Sequence, residues 1–127
     1  MTLFYVILRC LKWMALNSLK LLDDCDVIAA HIFPFSPRPN TPAARMPQVD
    51  RNVVKARAAR QREAASRRRN RWLDELVGTT QPALAEGEST GHTDNFAPVA
   101  IAGAERGQSG MARITGRDGA QLTAEWA

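Results

Sequence analysis

The stretch that most limits how this chain can fold runs from Asp50 to Val77, a long segment without a single glycine or proline. It is rich in alanine and arginine, which give up little side-chain freedom in a helix. Asp50 is a good N-cap, because its carboxylate can accept from the first unpaired backbone N–H groups. Gly78 stands just past the other end, where a left-handed cap is favoured. One helix is therefore predicted over 50–77. At about 100° per residue, Val54, Ala58, Ala65, Trp72 and Leu76 fall on one narrow stripe, flanked on both sides by arginine and lysine. One edge should pack and two should carry charge.

That charge is concentrated. Between Arg51 and Arg71 there are nine basic residues (Arg51, Lys55, Arg57, Arg60, Arg62, Arg67, Arg68, Arg69 and Arg71) against one acid, Glu63. With a local excess of eight and a formal net charge of +4 for the whole chain, the remainder is acidic by four. A helix of this kind can neutralise phosphates, each contact releasing counterions, so its binding to nucleic acid would be strongly salt-dependent. The same run also suits a merely solvated helix face. The cluster Arg67, Arg68, Arg69 and Arg71 next to Trp72 favours RNA, since guanidinium and indole planes stack on bases. Trp72 itself lies on the apolar stripe and is read as a packing anchor where the helix meets the next element.

With 127 residues, 45% of them hydrophobic, the chain holds one small domain, or a small domain and a piece of another; a large self-contained enzyme is excluded. Beyond the helix, 78–127 switches to period-2 patterning. Candidate strands at 79–86, 95–101, 110–115 and 121–126 are separated by Glu-Gly, Gly-His, Ala-Gly-Ala and Asp-Gly punctuation. Short strands in about fifty residues predict a small OB-like antiparallel β-barrel. Counted from Leu76, this part carries three basic residues (Arg106, Arg113 and Arg117) against six acids. Its affinity for nucleic acid must then come from the helix before it, or from a local face around His92, Arg113 and Arg117.

Residues 1–16 form an apolar leader that composition alone does not assign. Arg9 and Lys12 interrupt it below the roughly 20 residues needed to cross a bilayer, and no signal-peptide cleavage site follows. A helix lying on a membrane surface is the lowest-ranked reading of it. Within 17–49, Leu19, Leu21 and Leu22 suggest a short helix ended by Asp23 and Asp24. Val27–Phe33 reads as a strand apolar on both faces, as in a parallel sheet covered by helices. Pro34, Pro37, Pro39, Pro42 and Pro47 then enforce an extended loop, with Asn40 as its turn residue. The expected fold class is α+β.

The chain offers little for catalysis. Cys10 and Cys25 lie fifteen positions apart without a companion, so no CxxC, zinc or iron–sulfur spacing can be built, and both are read as reduced thiols in a cytoplasmic chain. His31 sits in the apolar run and is read as structural; Asp23, Asp24 and Asp26 are read as a helix-ending cluster rather than a magnesium site. No catalytic residue and no metal ligand is assigned.

Two segments carry a resemblance. His31 to Met46, HIFPFSPRPNTPAARM, resembles the end of the catalytic core in bacterial tRNA methylthiotransferases of the radical S-adenosylmethionine class. There a strand is followed by aromatic-Ser-x-Arg-x-Gly-Thr-x-Ala, matched here by Phe35, Ser36, Arg38, Thr41 and Ala43. Phe35 stands where Tyr is commoner and Asn40 where Gly is usual. Gly91 to Val99, GHTDNFAPV, followed by Gly110 to Thr115, resembles the TRAM domain, the small RNA-binding barrel that closes these enzymes. An arginine-rich helix joins the two modules in the family.

The resemblance covers about 17–127 and looks most like the branch that methylthiolates threonylcarbamoyladenosine beside the tRNA anticodon. It implies a division into 17–49 as a remnant of the radical core at a β/α barrel end, 50–77 as a basic linker helix and 78–127 as a TRAM-like barrel. It also implies 4Fe-4S clusters and S-adenosylmethionine in full-length members, whose Cys-x3-Cys-x2-Cys motif is not in this sequence, so this chain is expected to bind neither. A carboxy-terminal fragment that binds tRNA and catalyses nothing alone is the reading taken. A separately encoded amino-terminal half is its conceivable partner, and no membrane is expected. Ser36 and Arg38 would approach cofactor or substrate in the full enzyme, and Arg67, Arg68, Arg69, Arg71, His92, Arg113 and Arg117 would contact tRNA. The alternative is a free-standing TRAM-type RNA-binding protein, for which 1–49 would be dispensable.

Overall fold

The computed structural model describes Thr2–Ala127, with side chains from Trp13 onward. Three helices precede five strands: α1 (Thr2–Asp24), α2 (Pro42–Arg45), α3 (Arg51–Leu76), β1 (Thr80–Gly87), β2 (Thr90–Thr93), β3 (Pro98–Ile101), β4 (Ser109–Asp118) and β5 (Gln121–Trp126). The chain divides into two compact units, Met1–Arg69 and Asn70–Ala127, so the boundary falls inside α3.

In the first unit, α1 is one continuous helix where the sequence suggested a leader followed by a short helix, and it does end at Asp24 as expected. No described helix is long and apolar enough to cross a membrane. Val27–Phe33 is irregular, not the strand its apolar run suggests. A strand buried on both faces needs neighbours on both edges and helices above and below. Among the described residues no strand pairs with this segment, and Phe33 is left 82% exposed. His31 is likewise exposed rather than part of a core. The proline segment is irregular up to Asn40, its expected turn residue at φ 64°, but Pro42–Arg45 forms the short helix α2 where an extended loop was expected. Proline suits a first helical position, and the Thr41 hydroxyl donates to the Arg38 carbonyl at 2.8 Å while capping α2 through the Ala44 N–H.

Helix α3 starts where its sequence says it should. The Asp50 carboxylate accepts from the Asn52 N–H at 2.9 Å and the Val53 N–H at 3.3 Å, satisfying two of the orphan donors of the first turn. At the other end Gly78 takes φ 86° and donates its N–H to the Ile114 carbonyl at 2.9 Å, while the Ile114 N–H returns to the Thr79 carbonyl at 2.9 Å. A left-handed glycine thus turns the helix directly into the barrel wall.

The second unit is a closed barrel in the order β1-β2-β3-β5-β4. Four pairings are antiparallel and one, β3 with β5, is parallel, pairing Val99 with Leu122 and Ile101 with Ala124. The parallel pair closes the five-stranded barrel, which is the OB-like barrel expected from the sequence. Alternation places Ala83, Ala85, Val99, Ile101, Ala112, Ile114, Leu122 and Ala124 inside. Half of these are alanines, as a narrow interior requires. Leu73 from the last turns of α3 joins this core fully buried, with Trp72, Leu76 and Trp126 packed against it. Trp72 is therefore the packing anchor the stripe predicted.

Candidate nucleic-acid interface

The basic helix distributes its cations by the geometry of 3.6 residues per turn. Ala58 is buried and Val54, Ala65, Trp72 and Leu76 are half-buried, so the apolar stripe is the covered face. Two rows flank it. Arg51, Lys55 and Arg62 form one, with the half-buried Arg69 in line; Arg60, Arg67 and Arg71 form the other. At about 1.5 Å per residue each row extends about 16 Å or more along the axis. Arg51, Lys55, Arg60, Arg62 and Arg71 are exposed and in no ion pair among the described residues. Arg67 is exposed too, with Nη1 3.0 Å from Glu63 Oε1 one turn earlier, a solvent-screened pair that costs little to break.

Arg68 differs from its neighbours. It lies at the edge of the covered stripe, is buried, and pairs with the carboxylate of Asp26, which is itself exposed in the left-handed turn after α1. Its guanidinium is committed within its own unit. Arg117 is committed as well: Nε is 2.6 Å from Asp74 Oδ1 and Nη2 3.3 Å from Asp74 Oδ2, a forked pair that ties β4 to the last turns of α3. Arg113, on the outward face of β4, is exposed and unpaired among the described residues. His92 Nδ1 lies 3.0 Å from Glu86 Oε2 across the β1–β2 ladder.

Arg67, Arg69 and Arg71 thus share one helix with Arg68, while His92 is on β2 and Arg113 and Arg117 are both on β4. Ser36 and Arg38 are exposed on the irregular loop before α2. The four further exposed cations at the start of α3, Arg51, Lys55, Arg60 and Arg62, were visible in the charge count and belong to the same rows.

Curated relatives supply the context for this arrangement. The chain is 38% identical over 85 residues to the threonylcarbamoyladenosine tRNA methylthiotransferase MtaB of Rickettsia prowazekii (strain Madrid E), covering 67% of this chain and 20% of that protein. It is 35% identical over 107 residues to the tRNA-2-methylthio-N(6)-dimethylallyladenosine synthase of Janthinobacterium sp. (strain Marseille), covering 78% and 23%. The enzyme of the same name from Aeromonas salmonicida (strain A449) is 33% identical over 105 residues, covering 76% and 22%. This chain is a homologue of the tRNA methylthiotransferases. No family model matches it. The match fits a carboxy-terminal part of such proteins, and the chain spans about a fifth of the length of the methylthiotransferases it matches.

A methylthiotransferase cofactor can be tested against the residues in hand. Among the described residues no group of three or more His, Cys, Asp or Glu side chains could hold a metal ion, and Cys25 is an exposed thiol. The side chain of Cys10 lies outside the described residues. An iron–sulfur cluster needs converging thiolates, and this donor set does not fit one. Nor do Ser36 and Arg38, both exposed, form a cradle for a nucleoside cofactor by themselves.

Proposed function

We propose that this chain is the tRNA-holding, carboxy-terminal module of a methylthiotransferase, and that the methylthiolation chemistry belongs to other parts of such an enzyme. The observation that carries this reading is a helix with two rows of cations, most of them exposed and unpaired among the described residues, followed by an OB-like barrel, in a homologue of tRNA-modifying enzymes. The helix rows supply attraction for phosphates through Arg67, Arg69 and Arg71, with Arg51, Lys55, Arg60 and Arg62 extending them. Arg113 and His92 offer contacts on the barrel. Arg68 and Arg117 hold the scaffold through Asp26 and Asp74, and reach RNA only at the expense of those pairs.

In the complete enzyme, 4Fe-4S clusters and S-adenosylmethionine would be supplied by the segment that bears the cluster cysteines, whether in one polypeptide or as a separately encoded amino-terminal half. Ser36 and Arg38 would then border the cofactor or substrate. Threonylcarbamoyladenosine beside the anticodon is the proposed target, and the cytoplasm the proposed compartment.

The test is tRNA binding by the purified chain as a function of salt. Wild-type protein is expected to bind with an affinity that falls steeply between about 50 and 200 mM salt, and R60Q/R67Q/R71Q to lose about 0.7–0.9 of log–log slope for each phosphate contact removed. An unchanged affinity and slope in the triple variant would remove that row from the interface, and the same outcome with R51Q/K55Q/R62Q/R69Q would remove the helix.

A further inference from the structure

We infer that Phe96 is a stacking platform for an unpaired base of the bound RNA, an inference that rests on the chain binding tRNA. Among the described residues four non-glycine positions take positive φ: Asp26, Asn40, Ser89 and Phe96. The first three are small and polar, side chains that tolerate the left-handed region; Phe96, at φ 64°, is not. A bulky residue in this conformation persists only where its surroundings impose it, and such strain is a pointer to function.

The surroundings do impose it. The Phe96 N–H donates to the Thr93 carbonyl at 3.0 Å, the Thr93 N–H to the Ala97 carbonyl at 3.0 Å, and the Ala97 N–H to Thr93 Oγ1 at 3.1 Å. Thr93 and Ala97 are buried, and the Asp94 N–H is fixed to the Pro82 carbonyl of β1 at 3.0 Å. The backbone on both sides of Phe96 is pinned, yet its ring is 82% exposed and contributes nothing to the core. Asparagine or glycine would serve the turn without placing a large apolar ring in water.

Beside the ring lies a shallow cleft of about 340 Å³, lined by Pro82, Leu84, His92, Glu86 and Asp94. Its apolar part suits the face of a flat ring. Its two carboxylates, of which Glu86 also meets His92 Nδ1 at 3.0 Å, repel phosphate and accept hydrogen bonds, so the complementary ligand is a base with an exocyclic amine (adenine, cytosine or guanine) rather than the sugar–phosphate backbone or uracil. Stacking of an aromatic ring on an unpaired base is the usual way a barrel of this size grips single-stranded nucleic acid.

The experiment titrates the full chain and its F96A, F96L and F96W variants with labelled tRNA at several salt concentrations, and with decamers of A, C and U, following fluorescence anisotropy. Thermal unfolding checks each variant. F96A and F96L are expected to bind tRNA about 5- to 150-fold more weakly with the salt slope unchanged, and F96W to keep wild-type affinity. Wild type should prefer A and C decamers over U, and F96A should lose the preference. The inference is overturned if F96A stays within twofold of wild type, a result that would point to a protein partner at this surface. It is equally overturned if F96L retains full affinity. Should F96A fail to fold, F96L decides. Failure of the wild type to bind tRNA at all would instead refute the proposed function beneath it.

Discussion

Replacing Leu73 by alanine should destabilise the barrel more than any exposed substitution in α3. Leu73 has no exposed surface and belongs to the barrel core although it is carried by the helix. Truncation to alanine removes three carbons, worth about 2.4 kcal/mol at about 0.8 kcal/mol each, and leaves a cavity that alanine-lined walls cannot collapse to fill. A total of about 3–4 kcal/mol follows. The unit that loses it comprises Asn70–Ala127. A unit of that size has about 3–9 kcal/mol in all, so the variant should lose at least about a third of its stability. Urea titration followed by tryptophan fluorescence measures this, since Trp72 and Trp126 both pack against the same core. The midpoint should fall with little change in m, and V53A, at an exposed site on the same helix, should shift it by less than about 0.5 kcal/mol. A loss below about 1 kcal/mol in L73A would show that the helix is not part of the barrel core.

Gly91 is held by sterics rather than by conformation: a Cβ there would lie 2.0 Å from the Leu84 carbonyl oxygen and 2.9 Å from Ala85 Cα, both backbone atoms. G91A should therefore force β1 and β2 apart, cost about 2–3 kcal/mol and lower Tm by about 10 °C or more; melting within 3 °C of wild type would contradict the close approach. For the pair of Arg68 and Asp26, the buried partner is the arginine and the exposed one the aspartate. D26A, which strands a buried guanidinium, should cost about 1–3 kcal/mol in urea unfolding, whereas R68M, which fills the same space with an apolar chain, should be neutral within about 1 kcal/mol. The reverse order would show that the pair is worth more than the desolvation it demands.

How much of this could be read in advance depended on whether the signal was local. Asp50, the uninterrupted run behind it and Gly78 all act within one or two turns, so α3 and both its caps were legible. The same holds for Asn40 in its left-handed turn. Val27–Phe33 was not legible, because apolar content implies burial only when a partner surface exists, and none pairs with it among the described residues. β2 was hidden for the opposite reason. Gly91-His92 looks like turn punctuation, yet the glycine marks a place where two backbones nearly touch. Phe96 lay inside a predicted strand, 95–101, that in fact begins only at Pro98. The residue order does not reveal that a left-handed turn pushes its ring outward. Arg68 shows the limit of a helical projection: only the turn at Asp26, forty-two residues earlier, decides that this arginine and not Arg67 is taken from solvent.

The acidic balance of the barrel gives the arrangement its logic. With Arg117 engaged by Asp74, Arg106 and Arg113 remain as barrel cations against six carboxylates, so long-range attraction for a polyanion is seated on α3. Phosphate contacts position a nucleic acid without reading it, whereas contacts to bases carry selectivity. A helix rich in arginine brings affinity that is sensitive to salt and indifferent to sequence. A barrel poor in cations, with an exposed aromatic ring and carboxylates beside it, adds little of the former and can discriminate among bases. On the proposed reading, basic residues added to the barrel would raise affinity by drawing any phosphate into the cleft, and would blunt the base preference inferred for Phe96.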